Sequence, residues 1–226
     1  MRREAPIYRC VKVHAGSIRI DGDLNDPGWQ MAEPIHEFIL SDGSRPAERR
    51  TEARMCWDDA NLYICFKCED PDIWGTMTKR DDPIFDEEVV EAFIETDSDL
   101  KSYYELEMSP RGTLFDAVIH NPTDLRKDLV IDTSWTCDEW RAGVHVDGTL
   151  DNRDDVDTGW TVEWAIPFES ISGAPSVPPK DGDTWRVNLY RIDRTPEPEF
   201  SCWSPTMEIP PNYHVPAAFG MIVFRE

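Results

Sequence analysis

Residues 85–110 constrain the fold of this chain most strongly, because they alternate twice in succession with the period of a β-strand. In an extended chain, successive side chains face opposite ways. One face of the two predicted strands is therefore apolar and carries Val90, Ala92, Ile94, Tyr104, Leu106 and Met108. The other face carries Glu91, Phe93, Glu95, Tyr103, Glu105 and Glu107. The segment predicts a hairpin with an apolar side and a side of carboxylates and aromatic rings.

The same alternation recurs along the chain and favours an all-β fold. Further strands are predicted within residues 7–20, 51–57, 62–69, 113–120, 141–146, 160–166, 183–193 and 219–224. Only short helical turns are predicted, at residues 29–33 and 167–171. About ten short strands without a repeat or a long amphipathic helix are typical of an antiparallel sandwich. We therefore predict a single-domain, two-sheet antiparallel β-sandwich, similar to immunoglobulin or jelly-roll folds, over residues 1–226.

Charge and hydropathy limit the classes of partner. The chain has 226 residues, a formal net charge of -22 and 40% hydrophobic residues, including nine tryptophans. This composition favours a packed globular protein, while the negative charge disfavours nucleic acid and anionic membranes as partners. No stretch reaches the ~20 apolar residues of a membrane span, and the N-terminal residues lack the apolar run of a signal peptide. We expect a cytoplasmic protein by default, or an extracellular or periplasmic one if an export signal was removed.

The cysteines are expected to be free and buried. There are six, and four lie in the predicted strands of a domain large enough to fold without disulfides. Cys65 and Cys68 have the spacing of a zinc pair, but an offset of three in a strand places the two thiols on opposite faces. The five histidines are dispersed and no pair has ligand spacing. The sequence therefore gives no zinc site.

Eight segments, in order, cover nearly the whole chain and together resemble one family. They are IDGDLNDPGW at 20–29, CWDDANLYICFKCEDP at 56–71, DEEVVEAFIETD at 86–97, YYELEMSPRGTLFDA at 103–117, GWTVEWAIPF at 159–168, GDTWRVNLYRID at 182–193, CWSP at 202–205 and FGMIVF at 219–224. The ordered set resembles the family 9 carbohydrate-binding modules and their relatives in the DOMON-like superfamily. The resemblance implies a two-sheet β-sandwich that binds sugars, often attached to or working beside glycoside hydrolases.

The resemblance also implies a binding site. Sugar-binding members hold a sugar between two loop tryptophans, above polar side chains of the strands. The corresponding positions here are Phe85 and Tyr213, and the strand glutamate corresponds to Glu91 in the motif Val-Glu-x-Phe. Glu105 stands where an arginine donor is expected. These departures leave open a different sugar, a cationic or amino sugar, or no sugar.

Reasoning from the residues adds further candidates to this site. Aromatic rings in loops stack on pyranose rings, so Trp74 is a third candidate platform. If the strand registers are right, the polar face combines acceptors and donors from Glu91, Glu105, Glu107, Asp116, Glu163, Arg186 and Asn188. The alternative is a solvated face cross-linked by ion pairs between Arg186 and glutamates. Five tryptophans in strands or turns are expected in the core, at Trp29, Trp57, Trp160, Trp164 and Trp185.

Calcium is the one metal that the sequence suggests. Asp21, Asp23 and Asn25 mimic the start of an EF-hand loop, but Asp26 replaces its glycine and Ala32 its final glutamate. A calcium site of another geometry stays open, and the resemblance implies structural calcium. No other cofactor is expected.

The leading hypothesis is non-catalytic binding of a monosaccharide, oligosaccharide or polysaccharide end in support of carbohydrate catabolism, with a carbohydrate ligand and a glycoside hydrolase as partners. Three alternatives stay open. A glycoside hydrolase, or a subunit of one, would use Glu91 with Glu105 or Glu107. A haem-binding domain would recruit His120 with Met108 or Met207. A protein-interaction module would use the same face without a ligand, marked by an exposed apolar patch.

Overall fold

A computed structural model describes residues 4–123 and 125–226. Its strands are β1 Ile7–Lys12, β2 Ile39–Leu40, β3 Thr51–Trp57, β4 Asn61–Glu69, β5 Val89–Glu95, β6 Ser102–Met108, β7 Leu114–His120, β8 Val130–Asp132, β9 Arg141–Asp147, β10 Gly159–Pro167, β11 Thr184–Asp193, β12 Glu199–Cys202 and β13 Gly220–Arg225. The helices are α1 Pro27–Met31 and the single 3-10 turns Ile84–Asp86, Arg126–Asp128, Phe168–Ser170 and Pro216–Ala218. Within these two ranges, no helix has the length and apolar character needed to cross a bilayer.

The strands form one curled sheet whose two halves face each other. Its order is β8-β7-β6-β5-β11-β13-β1-β3-β4-β10-β9, with β12 paired to β11 and β2 paired to β12. An apolar cluster with members from both halves, which we call the main core, fills the space between them. The all-β sandwich is therefore confirmed. The single-domain division stays a prediction.

One strand departs from a purely antiparallel arrangement. β1 pairs in parallel with β13 on one side and with β3 on the other. It therefore joins the two halves of the sheet. Such long-range parallel pairing leaves no local mark in the sequence, because no tight turn connects the strands.

The predicted hairpin of residues 85–110 is present in the expected register. Val90, Ala92 and Ile94 of β5 belong to the main core, and Ala92 lies opposite Leu106 of β6. The five tryptophans expected in the core are at most 2% exposed, and all six cysteines are free and buried. Trp29 packs in a separate cluster under α1 rather than in the main core.

The opposite face of β5 and β6, called here the outer face, is buried as well. The prediction of a solvated polar face is wrong. Loops and turns cover it and build a second apolar cluster of Ile84, Val89, Phe93, Tyr103, Phe115, Ala117, Ile119, Tyr190, Ile192, Cys202, Tyr213 and Phe219. Alternation cannot reveal this cover, because the covering residues come from the loop before β5 and from the segment after β11.

Two carboxylates predicted on the outer face lie elsewhere. Glu163 belongs to β10 in the other half of the sheet, where it accepts hydrogen bonds from Trp29 Nε1 at 2.6 Å and Gly22 N at 2.7 Å. Phe115, Ala117 and Ile119 of β7 face the second cluster, so Asp116, which alternates with them, points the other way. Asp116 pairs there with Arg80 at 2.7 Å.

A buried ionic network joins the C-terminal ends of β4 and β11. Arg191 is 1% exposed and its Nη2 lies 3.1 Å from Asp70 and 2.9 Å from Asp193. Glu88 is buried beside them and accepts a hydrogen bond from Trp74 N at 3.2 Å. Burial, and then the charge of Asp70, raises the pKa of Glu88 to about 9. Glu88 therefore stays protonated in the folded chain at neutral pH.

This pKa predicts a pH-dependent effect of Glu88→Gln. A carboxyl whose pKa is raised on folding contributes most to stability below its unfolded pKa, and loses this contribution as pH rises toward its folded pKa. The variant should match the wild type near pH 5 and be more stable near pH 8, by on the order of 1–3 kcal/mol. Urea unfolding at both pH values measures the difference. The exposed Glu69→Gln is the control, and equal behaviour of the two variants would contradict the assignment.

Candidate functional site

A pocket of about 270 Å³ opens on the outer face of β5 and β6, and we call it the acid-floored pocket. Glu91 of β5 and Glu105 of β6 contribute its carboxyls. Phe85, from the turn Ile84–Asp86, and the loop 211–214 lie around them. The full lining is Phe85, Asp86, Glu91, Phe93, Glu105, Arg126, Ile192, Arg194, Phe200, Pro211, Asn212, Tyr213 and His214. The pocket thus combines aromatic rings with hydrogen-bonding groups.

Three buried carboxyls form a tight group at this pocket. Glu91 lies opposite Glu107 in the β5–β6 ladder. Glu105 lies two residues from Glu107 in β6, on the same face of the sheet. The three side chains are at most 5% exposed, and one oxygen from each lies within 4.8 Å of the other two. Four oxygens are buried without a hydrogen-bond partner among residues 4–123 and 125–226: Glu91 Oε1, Glu105 Oε2 and both oxygens of Glu107. We call this group the glutamate trio.

Burial controls the ionisation of the trio. It raises the pKa of Glu105 to about 7. It also raises the pKa of Glu91 and of Glu107 well above the usual range, and neighbouring carboxyls of the trio add to both shifts. Without a ligand, protons therefore keep this part of the sheet from carrying its full negative charge.

Phe85 provides an accessible ring at the pocket. It is 37% exposed and packs edge-on against Phe115, with ring centres 5.7 Å apart. Its carbonyl accepts a hydrogen bond from Arg194 Nη2 at 2.6 Å, which fixes the turn. One ring face is therefore available while the backbone is held in place.

Tyr213 lines the same pocket but is mostly a packing residue. It is 8% exposed, and its ring stacks on Tyr190 with centres 4.0 Å apart. Its hydroxyl donates to the carbonyl of Arg191 at 3.1 Å. Because Tyr190 covers one ring face and the hydroxyl is engaged, Tyr213 offers the pocket much less surface than Phe85.

Four other residues of the predicted site lie outside the pocket lining. Trp74 Nε1 donates to Thr195 Oγ1 at 3.2 Å, and the guanidinium of Arg153 lies 5.2 Å from its ring centre. Glu107 is fully buried in the trio beside the pocket.

The remaining two serve the sheet itself. Asn188 is fully buried, and its side chain donates to Ser204 O at 2.8 Å and accepts from Ser204 N at 2.9 Å, so it fixes the chain after β12. Arg186 lies 3.8 Å from Glu95, near the end of β5 remote from Glu91. The predicted pair of Arg186 with a glutamate therefore forms, but away from the pocket.

Sequence reasoning missed the basic and imidazole groups of the pocket. Arg126, Arg194 and His214 line it, together with the ring of Phe200. His214 Nδ1 lies 2.9 Å from the hydroxyl of Tyr103, and burial lowers the pKa of His214 to about 4. Its imidazole is therefore neutral at neutral pH. Adjacency to Tyr213 was the only sequence signal for His214, and Arg126 and Arg194 had none.

The proposed calcium residues satisfy one another in the loop before α1. Asp21 pairs with Arg19 and accepts from Asp23 N at 3.0 Å, while Asp23 accepts from Asn25 N at 3.2 Å. They are not among the acidic groups whose oxygens converge within 4.8 Å in the described ranges. As placed, these three side chains do not fit a calcium ion.

His120 and Met108, one of the two haem ligand pairs suggested by the sequence, are too far apart. His120 pairs with Ser102 at the start of β6, and Met108 ends that strand. Six residues of strand span about 20 Å, so one iron cannot reach both side chains. Met108 instead packs in the main core, where Trp164 Nε1 lies 3.2 Å from its sulfur.

Larger hollows exist, and the largest one described contains a glutamate that is already paired. One of about 810 Å³ is lined by residues 36–39, 43–47 and 50–52 with Lys67 and Glu69. Its Glu52 already pairs with Arg54 at 2.9 Å and His36 at 3.1 Å. The acid-floored pocket differs because its buried carboxyls have oxygens without protein partners.

The two predicted aromatic platforms should differ in their effect on stability. Tyr213→Ala should lower the free energy of unfolding by about 3–5 kcal/mol, because it removes a buried stacked ring. Phe85→Ala should cost less than about 1.5 kcal/mol, because much of that ring is exposed. Tyr213→Phe removes only the hydroxyl and should cost about 1 kcal/mol. Chemical denaturation measures all three, and equal costs for the two alanine variants would contradict this division.

The sequence comparisons reach the same family as the motifs. The family described as carbohydrate-binding family 9 matches residues 44–224. An extracellular protein of Arthroderma benhamiae is 26% identical over 212 residues, which are 88% of this chain and 91% of that protein. Endo-1,4-beta-xylanase A of Thermotoga neapolitana is 29% identical over 90 residues, 40% of this chain and 8% of the xylanase.

Solved structures share the fold. A candidate carbohydrate-binding protein of Bacteroides uniformis has a TM-score of 0.76 at 18% identity, over 98% of this chain and all of that one. A family 9 module of Caldicellulosiruptor kristjanssonii in complex with cellotriose has a TM-score of 0.65 at 14% identity, over 97% of this chain and 93% of that one. A family 9 module from the same organism in complex with glucose has a TM-score of 0.62 at 15% identity, over 96% of each chain. Because the family match spans most of the chain, this protein belongs to carbohydrate-binding family 9.

Proposed function

We propose that the acid-floored pocket binds one sugar unit, as a monosaccharide or as the end of a longer saccharide, without cleaving it. The observation that carries this proposal is that the exposed ring of Phe85 and the buried carboxyls of Glu91 and Glu105 line one pocket. Sugars present apolar ring faces and hydroxyl edges, which require these two kinds of surface side by side.

The chemistry of the lining supports binding of a single unit. Phe85 offers a flat face for the apolar side of a pyranose, and its turn is held by Arg194. The free oxygens of Glu91 and Glu105 are acceptors for sugar hydroxyls. A volume of about 270 Å³ lies near the lower end of ligand pockets, ~300–1,000 Å³, which favours a small ligand or a chain end.

The arrangement of the carboxyls supports binding without catalysis. A glycosidase places its two carboxyl groups on either side of the scissile bond. Here the trio comes from neighbouring strands and shares one face of the sheet. Glu107 is also fully buried, so it cannot approach a sugar from the opposite side.

We further propose that the protein supports carbohydrate catabolism beside a glycoside hydrolase. The local likeness to a xylanase supports this role, because the matched segment is a small part of a much longer enzyme. In this role the chain would hold the end of a polysaccharide while a separate catalytic domain cleaves its glycosidic bonds.

Calorimetric titration with glucose, cellotriose and 4-nitrophenyl glycosides tests binding, and the release of 4-nitrophenol tests turnover. We expect saccharide binding without turnover. Phe85→Ala should weaken it about tenfold or more, because stacking and ring burial are lost. Glu91→Gln should also weaken it, because the amide replaces one carboxyl oxygen, an acceptor for sugar hydroxyls, with an NH₂ group that only donates.

Trp74→Ala is the matched aromatic control, since this ring lies outside the pocket lining. It should leave the affinity within about twofold. Affinity lost in Trp74→Ala but kept in Phe85→Ala would move the site away from this pocket. Turnover that disappears in Glu91→Gln would favour the hydrolase alternative.

A further inference from the structure

We propose that the glutamate trio, Glu91, Glu105 and Glu107, binds one divalent cation beside the acid-floored pocket, with dimensions that suit Ca²⁺. Neither the loop of Asp21, Asp23 and Asn25 nor any other calcium candidate of the sequence includes these residues. The site would be built on adjacent strands rather than on a loop, so its ligands are held by the β5–β6 ladder.

The spacing of the oxygens supports an ion of this size. One oxygen from each glutamate lies within 4.8 Å of the other two. Ca²⁺ binds oxygens at 2.3–2.6 Å, so two oxygens on opposite sides of the ion are about 4.8 Å apart. Mg²⁺ requires distances of about 2.0–2.1 Å and a stricter octahedron. The separations of the trio oxygens therefore fit within the coordination shell of one Ca²⁺ ion.

A second observation is that no group outside the trio donates a hydrogen bond to its buried oxygens in the described part of the chain. Four of its buried oxygens have no hydrogen-bond donor in the described part of the chain. No lysine, arginine or histidine nitrogen in residues 4–123 and 125–226 lies within 4.0 Å of these carboxylates. Arg194, which lines the pocket, donates instead to the carbonyls of Phe85 and Glu87. Buried carboxylates are costly unless paired or bound to a metal.

Other buried acids in this chain do have partners, which sets the trio apart. Asp70 and Asp193 pair with Arg191, and Glu163 accepts from Trp29 Nε1 and backbone N–H groups. In the group of Glu95, Asp97 and Asp99, the last two are exposed.

Charge and access favour a divalent ion over an ammonium group. Three carboxylates carry three negative charges, of which a divalent ion neutralises two and an ammonium only one. Glu107 is fully buried and does not line the pocket. A single ion can lie among all three carboxyl groups, whereas the ammonium of an amino sugar is attached to a ring that would have to stay in the pocket.

A bound ion would also take part in ligand recognition, a point that rests on the proposed function. Ca²⁺ takes 6–8 oxygen ligands, and three carboxylates supply at most six oxygens. Glu91 and Glu105 line the pocket, so open positions of the ion would face it. Sugar hydroxyls could then complete the coordination, in the place where an arginine donor was expected at Glu105.

Calorimetry with CaCl₂ on chelator-treated protein, without sugar, tests the site. We expect one ion per chain and a rise in the melting temperature on adding Ca²⁺. Glu91→Gln and Glu107→Gln should each weaken binding by at least about tenfold, because each removes a charged ligand. Glu95→Gln is the matched control: this buried carboxyl lies on the same face of β5, 3.8 Å from Arg186, and is outside the trio. It should leave the affinity within about twofold.

Terbium luminescence provides a second measurement, with Tyr213, which lines the pocket beside Glu91 and Glu105, as the sensitising ring. Wild-type protein that binds neither Ca²⁺ at millimolar concentration nor Tb³⁺ would overturn the proposal, even if a variant fails to fold. So would binding lost in Glu95→Gln but kept in Glu91→Gln. Tighter binding of glucosamine than glucose, without ion binding, would overturn it in favour of an ammonium ligand.

The sugar and ion results are separable. Glucose or cellotriose titrated with and without CaCl₂ should bind more tightly with the ion. Ion binding without any saccharide binding would reject the proposed function and keep the cation site. If saccharide affinity is the same with and without CaCl₂, and the protein binds no ion, only the cation site is rejected.

Discussion

Burial of the outer face of β5 and β6 beneath two long segments is the constraint on which the rest of the site depends. One segment precedes β5 and contributes Ile84 and Phe85, and the other follows β12 and contributes Tyr213 and Phe219. They turn a face that would otherwise be solvated into a second apolar cluster, on which the acid-floored pocket opens. The low polarity of this surrounding raises the pKa values of the glutamates and gives the pocket its chemistry.

The protein treats its buried acids in contrasting ways. Around Arg191, opposite charges compensate each other, and Glu163 is held by N–H donors under α1. The glutamate trio has neither kind of compensation from the protein. Natural structures leave few buried polar groups unsatisfied, and those that remain require a physical explanation such as a ligand, an ion or a retained proton. The trio therefore connects the stability of the sheet with the occupancy of the pocket.

Several residues of the site were predicted correctly from the sequence. Alternation placed Val90 inward and Glu91 outward, and the resemblance to family 9 modules led to Phe85 and Tyr213, which the fold brings to one pocket with Glu91 and Glu105. The interpretation of Asn188 and Arg186 failed in part, because a strand face does not reveal which backbone or carboxylate a side chain will meet. Arg194 and His214 were missed for the same reason: their place depends on how the loops fold back.

The sequence by itself determined the strand pattern, the apolar rows and the family, because these depend on side-chain period and on short ordered motifs. The tertiary structure alone decided that the carboxylate face is buried, that Tyr213 stacks on Tyr190 while Phe85 stays exposed, and that three glutamates converge without a partner. Burial and convergence arise from contacts between residues distant in the chain. The period of a single strand contains no information about what covers it.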